Sequence, residues 1–86
     1  MSVGEVKAAL RAAVEAARQG RRVFDKAASE AEAATGTANA ILRGSQHEDV
    51  EATHEALAAA RAEVEPTRRR FDDTAEHAGD YLTRLG

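Results

Sequence analysis

The chain contains no cysteine, no tryptophan and one proline, and its only aromatics among 86 residues are Phe24, Phe71 and Tyr81. Without cysteine there is no disulfide, no thiolate zinc site and no cysteine nucleophile. No apolar run approaches the ~18 residues of a membrane span, and the first residues lack the apolar core of a secretory leader. Basic excess is also missing: 15 acidic against 12 basic residues leave a net charge of −3. General affinity for nucleic acid or anionic membranes needs such an excess, so this balance argues against both. The expectation is a soluble chain, cytoplasmic or exported without a cleaved signal peptide.

Alanine is abundant instead, at 21 residues, and arginine outnumbers lysine ten to two. Both biases fit a GC-rich bacterial genome. Alanine is the best helix former, so propensity is strong along the chain. A buried alanine methyl removes little apolar surface at ~25 cal/mol per Å², so the core is thin. A chain this short is close to the lower limit for a single core, and a partner or a second copy would help it.

Apolar positions recur every seven residues on both sides of Gly44-Ser45. Val3, Leu10, Ala17, Phe24, Ala31 and Ala38 form one track, and Val6, Ala13, Gly20, Ala27, Ala34 and Ile41 its companion. After the centre, Val50, Leu57, Val64, Phe71, Ala78 and Leu85 form a third track, with Thr53, Ala60, Thr67, Thr74 and Tyr81 beside it. A repeat of about 3.5 residues marks a helix that buries a narrow seam against another helix. Helix one is expected over about residues 3–43, a turn at 44–46, and helix two over about 46–84, as one domain spanning 1–86. Gly44 supplies the stop signal, with Arg43 in the last turn. Ser45-Gln46-His47-Glu48 reads as a capping box that starts the next helix at once. A connection this short makes the helices antiparallel.

Pro66 removes a backbone donor and crowds the preceding turn, which kinks or breaks a helix. Because the seven-residue phase survives from Val64 to Phe71, a continuous kinked helix is expected, with a break into three helices as the alternative. Pairing residues whose numbers add to 91 gives layers such as Ile41 with Val50, Ala34 with Leu57, Phe24 with Thr67, Gly20 with Phe71 and Leu10 with Tyr81. Each phenylalanine then faces a small partner, and Gly20 acquires a packing role. Gly36 falls on the outer face beside Thr35 and Thr37. The fold class is therefore all-α, a coiled-coil-like antiparallel two-helix hairpin with its second helix kinked at Pro66.

A second, weaker stripe comprises Ala9, Val14, Ala16, Val23, Ala28 and Leu42 on helix one, and Ala56, Ala75 and Leu82 on helix two. Scattered surface alanine is the plain alternative. The larger members, Val14, Val23, Leu42 and Leu82, are the expected interface for another hairpin, so that two copies, or this chain and a related one, form a four-helix bundle.

Few residues suggest chemistry. Glu51-Ala52-Thr53-His54 has the Glu-x-x-His spacing of carboxylate-bridged di-iron bundles, which need a second such element and two further glutamates. Helix one offers no histidine, so neither metal nor other cofactor is expected. Arg18, Arg21, Arg22 and Lys26 on one helix and Arg68, Arg69 and Arg70 on the other lie at one level of the pair. Local i,i+4 pairing (Glu65–Arg69, Arg68–Asp72, Arg69–Asp73, Arg21–Asp25) would consume much of that charge. A weak, salt-sensitive nucleic-acid site is the less favoured reading of this cluster. Two rods side by side enclose no dry pocket, and no catalytic residue is expected.

Length, paired helices and Leu42-Arg43-Gly44 at the turn resemble the Trp-x-Gly family of small type VII secretion substrates and partners. Leu42 stands where that family has tryptophan. Tyr81-Leu82-Thr83-Arg84-Leu85 has the tyrosine of its Tyr-x-x-x-acid export signal but ends in leucine. The opening Met1-Ser2-Val3-Gly4-Glu5-Val6, the Gly44-Ser45 turn and the closing Tyr81–Leu85 segment are also similar to actinobacterial Ala-rich helical hairpins, which occur as amino-terminal modules of polymorphic toxins. These resemblances imply a delivery or pairing role and nothing catalytic. The expected function is protein–protein interaction, with a cytoplasmic structural or regulatory bundle as the alternative.

Overall fold

Two helices account for 88% of the chain, and no strand accompanies them, in a computed structural model that describes residues 1–86. The first, α1, spans Val3–Ile41. Ser2 caps it, its Oγ accepting from the Glu5 amide at 3.1 Å, and Glu5 adds negative charge where the helix dipole favours it. The second helix comprises α2, Glu48–Ala62, and α3, Val64–Leu85, joined through Glu63. Glu63 keeps right-handed helical angles (φ −86°, ψ −8°), so the path continues, with a bend of 24°. Pro66 explains the bend, since it has no N–H to offer the Ala62 carbonyl. The Glu63 amide instead tightens onto Ala60 at 3.2 Å, and the Thr67 amide restores the ladder at Glu63 at 3.1 Å. The expected kink is present.

The centre of the chain departs from expectation. α1 ends at Ile41, so Leu42 is its C-cap and Arg43 lies outside the last turn. The Ser45 amide donates to the Leu42 carbonyl at 3.0 Å across a turn in which Gly44 has φ +84°, a conformation that favours glycine. The capping box does not form: His47 is the N-cap of α2, its Nδ1 accepting from the Asp49 amide at 3.1 Å. The connection between Ile41 and Glu48 runs over residues 42–47, in place of the turn expected at 44–46. Ser45 is spent on the crossing, where its Oγ accepts from the His47 amide at 3.4 Å.

The molecule is a rod of 62 × 17 × 16 Å, with α1 packed chiefly along α3. Contacts pair rising numbers on α1 with falling numbers on the second helix, as in Lys7 with Gly86, Arg21 with Asp72, and Glu32 with Arg61. Gly20 meets Phe71 as the register of 91 requires: a Cβ at Gly20 would lie 2.6 Å from Phe71 Cε1. Phe71 also leans on Phe24, with ring centroids 6.0 Å apart.

Only Ala17 (6% exposed) and Thr35 (8%) are buried, and they are eighteen residues apart. Eighteen residues make five turns of a straight helix at 3.6 per turn. The buried line thus follows an undistorted helix, whereas a seven-residue repeat drifts about 20° per heptad from such a line. The expected seam consequently leaves the interface as it approaches the turn. Ala27 and Ala34 are exposed there and Ile41 is 77% exposed, while Ala28, Thr35 and Leu42 turn inward in their place. Thr35, expected on the outer face, is buried, its Oγ1 donating to the Ala31 carbonyl at 2.8 Å. Tyr81, expected to layer on Leu10, is 46% exposed. Beyond the bend α2 approaches α1 less closely than α3 does. Alanine methyls at Ala28, Ala31 and Ala60 leave a cavity there, completed by Thr35, Leu57 and Val64.

Candidate interaction surface

Basic residues at mid-rod form a bridged lattice between the helices. Asp25 accepts from Arg68 Nε at 2.6 Å and from Arg21 Nε at 3.1 Å, while Arg21 Nη1 reaches Asp72 on the other helix. Nearer the turn, Arg61 pairs with Glu32 at 2.9 Å, and at the open end Lys7 Nζ donates to the Gly86 carbonyl at 2.7 Å. The hydrogen bond from Arg68, reinforced by Arg21, holds the Asp25 carboxyl below its ordinary range against a smaller opposing effect of desolvation. The Arg21 and Arg68 guanidinium groups shift upward, chiefly through their bonds to Asp72 and Asp25 respectively.

The two basic groups do share one level, as the sequence suggests, but several partners differ. Arg21–Asp25 forms; Arg68 chooses Asp25 and Glu65 over Asp72, and Glu65 takes Arg68 in place of Arg69. Arg22 is held by Gln19 and Glu15, and Arg70 pairs with Glu63 at 3.9 Å. Arg18 and Arg69 have no carboxylate within ion-pair distance. Three ion pairs cross between the helices, Arg21–Asp72, Arg61–Glu32 and Arg68–Asp25, beside four within one helix.

All the cross-helix ties lie on one side of the rod. At 100° per residue, Lys7, Arg21, Asp25 and Glu32 fall within about 40° of one another around α1. Val14 and Leu82, two of the expected interface residues, belong to this side; both are half-buried and line one shallow depression with Arg11, Glu15, Arg18 and Gly79. Leu42 is half-buried at the end of α1. Val23 is different: it stands 58% exposed on the opposite flank.

That opposite flank carries no ion pair across the helices. Ala9, Ala16, Val23, Ala27, Ala34 and Ile41 also fall within about 40° of one another around α1, together with Glu5, and all are exposed. On the second helix Ala56, Thr74 and Tyr81 share one sector with Glu63 and Arg70, which pair at 3.9 Å, and the Tyr81 ring carries the Arg84 guanidinium 5.7 Å above it. The second stripe therefore splits. Val14, Ala28, Leu42, Ala75 and Leu82 go to the half-buried side, and Ala9, Ala16, Val23 and Ala56 to the free face. Ile41, Tyr81, Ala27 and Ala34 join the free face although the heptads assign them to the seam. A signal for them exists in the sequence: Ala9 and Ala27, Ala16 and Ala34, and Val23 and Ile41 are each five straight-helix turns apart.

The remaining surface consists of open grooves, the broadest running past Ser29, Glu32, Arg61, Glu65 and Arg68. Glu51 and His54 lie on α2, and no group of three or more His, Asp or Glu side chains converges anywhere on the chain. No helix is long and apolar enough to cross a membrane. Compared with protein-family models, with curated proteins and with solved structures, the chain matches none.

Proposed function

We propose that this chain is a non-enzymatic protein–protein interaction module, a helical hairpin that pairs with itself or with a related hairpin into a four-helix bundle. One observation carries the reading. The chain buries only two residues, yet it leaves Val23 and Ile41 at 58% and 77% exposure on a face that no cross-helix ion pair ties. Water is a poor solvent for such side chains, and covering them adds the apolar burial that a thin alanine core lacks. Open grooves in place of an enclosed pocket support the non-enzymatic part of the reading. Resemblance to the type VII secretion and polymorphic-toxin hairpins suggests delivery of a toxin or effector as the setting.

Sedimentation equilibrium tests the pairing. The wild-type chain is expected at twice its 9.1 kDa mass, and Val23→Glu at the single mass. A Val23→Glu chain that associates as tightly as wild type removes this face from the reading. Culture-supernatant proteomics with and without the secretion ATPase tests the setting, and a chain found only inside cells in both strains would leave pairing without delivery.

A further inference from the structure

α2 is the least anchored element of the rod. Of its fifteen residues only Val50, His54 and Leu57 are half-buried, and the rest are exposed. A gap of about 80 Å³ separates it from α1, with Leu57, Ala60 and Val64 on one side and Ala28, Ala31 and Thr35 on the other. Side chains that do not reach their neighbours across a gap forfeit dispersion contact as well as burial. α3, by contrast, sets Phe71 against Gly20 and Phe24 and shares the bridges of Arg21 and Asp25 with α1.

Charge also acts against the contact. α2 carries Glu48, Asp49, Glu51 and Glu55 with Arg61 as its only base, and residues 28–41 of α1 carry Glu30 and Glu32 with no base at all. Glu51 and Glu55 stand one turn apart, a like-charge spacing that weakens a helix. One ion pair, Arg61–Glu32, links the two stretches, and both of its side chains are more than half exposed. Exposed pairs of this kind contribute little.

The backbone is interrupted where α2 meets α3. Pro66 leaves the Ala62 carbonyl without its helical donor, and Glu63 gives α3 no side-chain cap. A helix of fifteen residues is marginal in water without packing. Residues 28–41 of α1 need no such support, because they extend a helix already nucleated and packed at Ala17.

We propose that α2 is an opening unit of its own, which unfolds and refolds locally while α1 and α3 stay paired through Phe71 and the mid-rod ion pairs. Pro66 is the break that uncouples it, and opening uncovers Thr35 on α1. The proposal concerns a single chain and is independent of the association reading above. Amide hydrogen exchange of the full chain, followed by NMR through low denaturant concentrations, tests it. The expected result is protection over residues 52–62 at least about tenfold below that over residues 71–78, with a weaker denaturant dependence for α2 than for α3. Pro66→Ala returns a donor to the Ala62 carbonyl and is expected to narrow that contrast severalfold. Equal protection and one denaturant slope across both segments overturn the proposal. A contrast that Pro66→Ala leaves unchanged keeps the local opening and overturns Pro66 as its cause.

Discussion

Gly20 is the position where packing and helix propensity oppose each other most directly. Both Gly20 and Gly36 lie inside α1, and replacing either by alanine gains about 1 kcal/mol of helix propensity. Gly36 has open space where the methyl would go, so Gly36→Ala keeps that gain and raises Tm by about 4–8 °C. At Gly20 the new Cβ would meet Phe71 Cε1 at 2.6 Å and two more ring carbons at 3.2 and 3.3 Å. The ring must retreat by close to 1 Å, and Phe24 stands against it with centroids 6.0 Å apart. Overpacking of this kind costs about 1–3 kcal/mol, which cancels or exceeds the propensity gain. Gly20→Ala is thus expected near wild type, about 1 kcal/mol short of Gly36→Ala. Gly20→Leu, with three more carbons to place, falls below wild type by about 1–2 kcal/mol, or roughly 5–15 °C. Thermal unfolding followed by circular dichroism at matched protein concentration measures all three. If Gly20→Ala and Gly36→Ala raise Tm equally, or Gly20→Leu unfolds no earlier than wild type, Phe71 does not pack on Gly20.

Acid should weaken the rod through Asp25. Its folded carboxyl titrates below the ordinary value because Arg68, and then Arg21, favour the ionised form. Stability from this group is therefore present above about pH 4 and lost as pH falls through the folded value. Asp25→Asn should lower Tm at neutral pH and flatten the acid limb of the Tm profile; parallel limbs in both proteins would exclude the linkage. Thr35 tests the straight-helix geometry. Thr35→Asp places a carboxylate on the buried line and should cost about 1–3 kcal/mol, whereas Thr37→Asp, exposed two residues on, should stay within about 0.5 kcal/mol of wild type. Equal effects at the two positions would contradict the burial of Thr35.

Much of this architecture is legible in the chain before folding is considered. Alanine content and the seven-residue repeats state two long helices, Gly44 states where they part, and Pro66 states where the second one bends. The contact of Gly20 with Phe71 follows from the register alone. What the heptads misplace is the path of the interface near the turn. A repeat of seven is a commitment to supercoiling only if the helices twist to follow it, and the buried positions Ala17 and Thr35 of α1 keep the eighteen-residue spacing of a straight helix. Its buried line then shifts from Ala27, Ala34 and Ile41 to Ala28, Thr35 and Leu42. The charged cluster shows the same limit, because i,i+4 spacing records which pairs are possible within a helix but not which are closer across helices.

Local propensity and periodicity are properties of consecutive residues, so the sequence by itself determined the helices, their ends to within a few residues, and the pairing of Gly20 with Phe71. Sidedness is a property of two helix axes held at a particular separation and twist. Only the tertiary structure decided that Arg21, Asp25, Arg68 and Asp72 lock one side of the rod. By the same geometry it left Val23, Ile41 and Tyr81 exposed on the other.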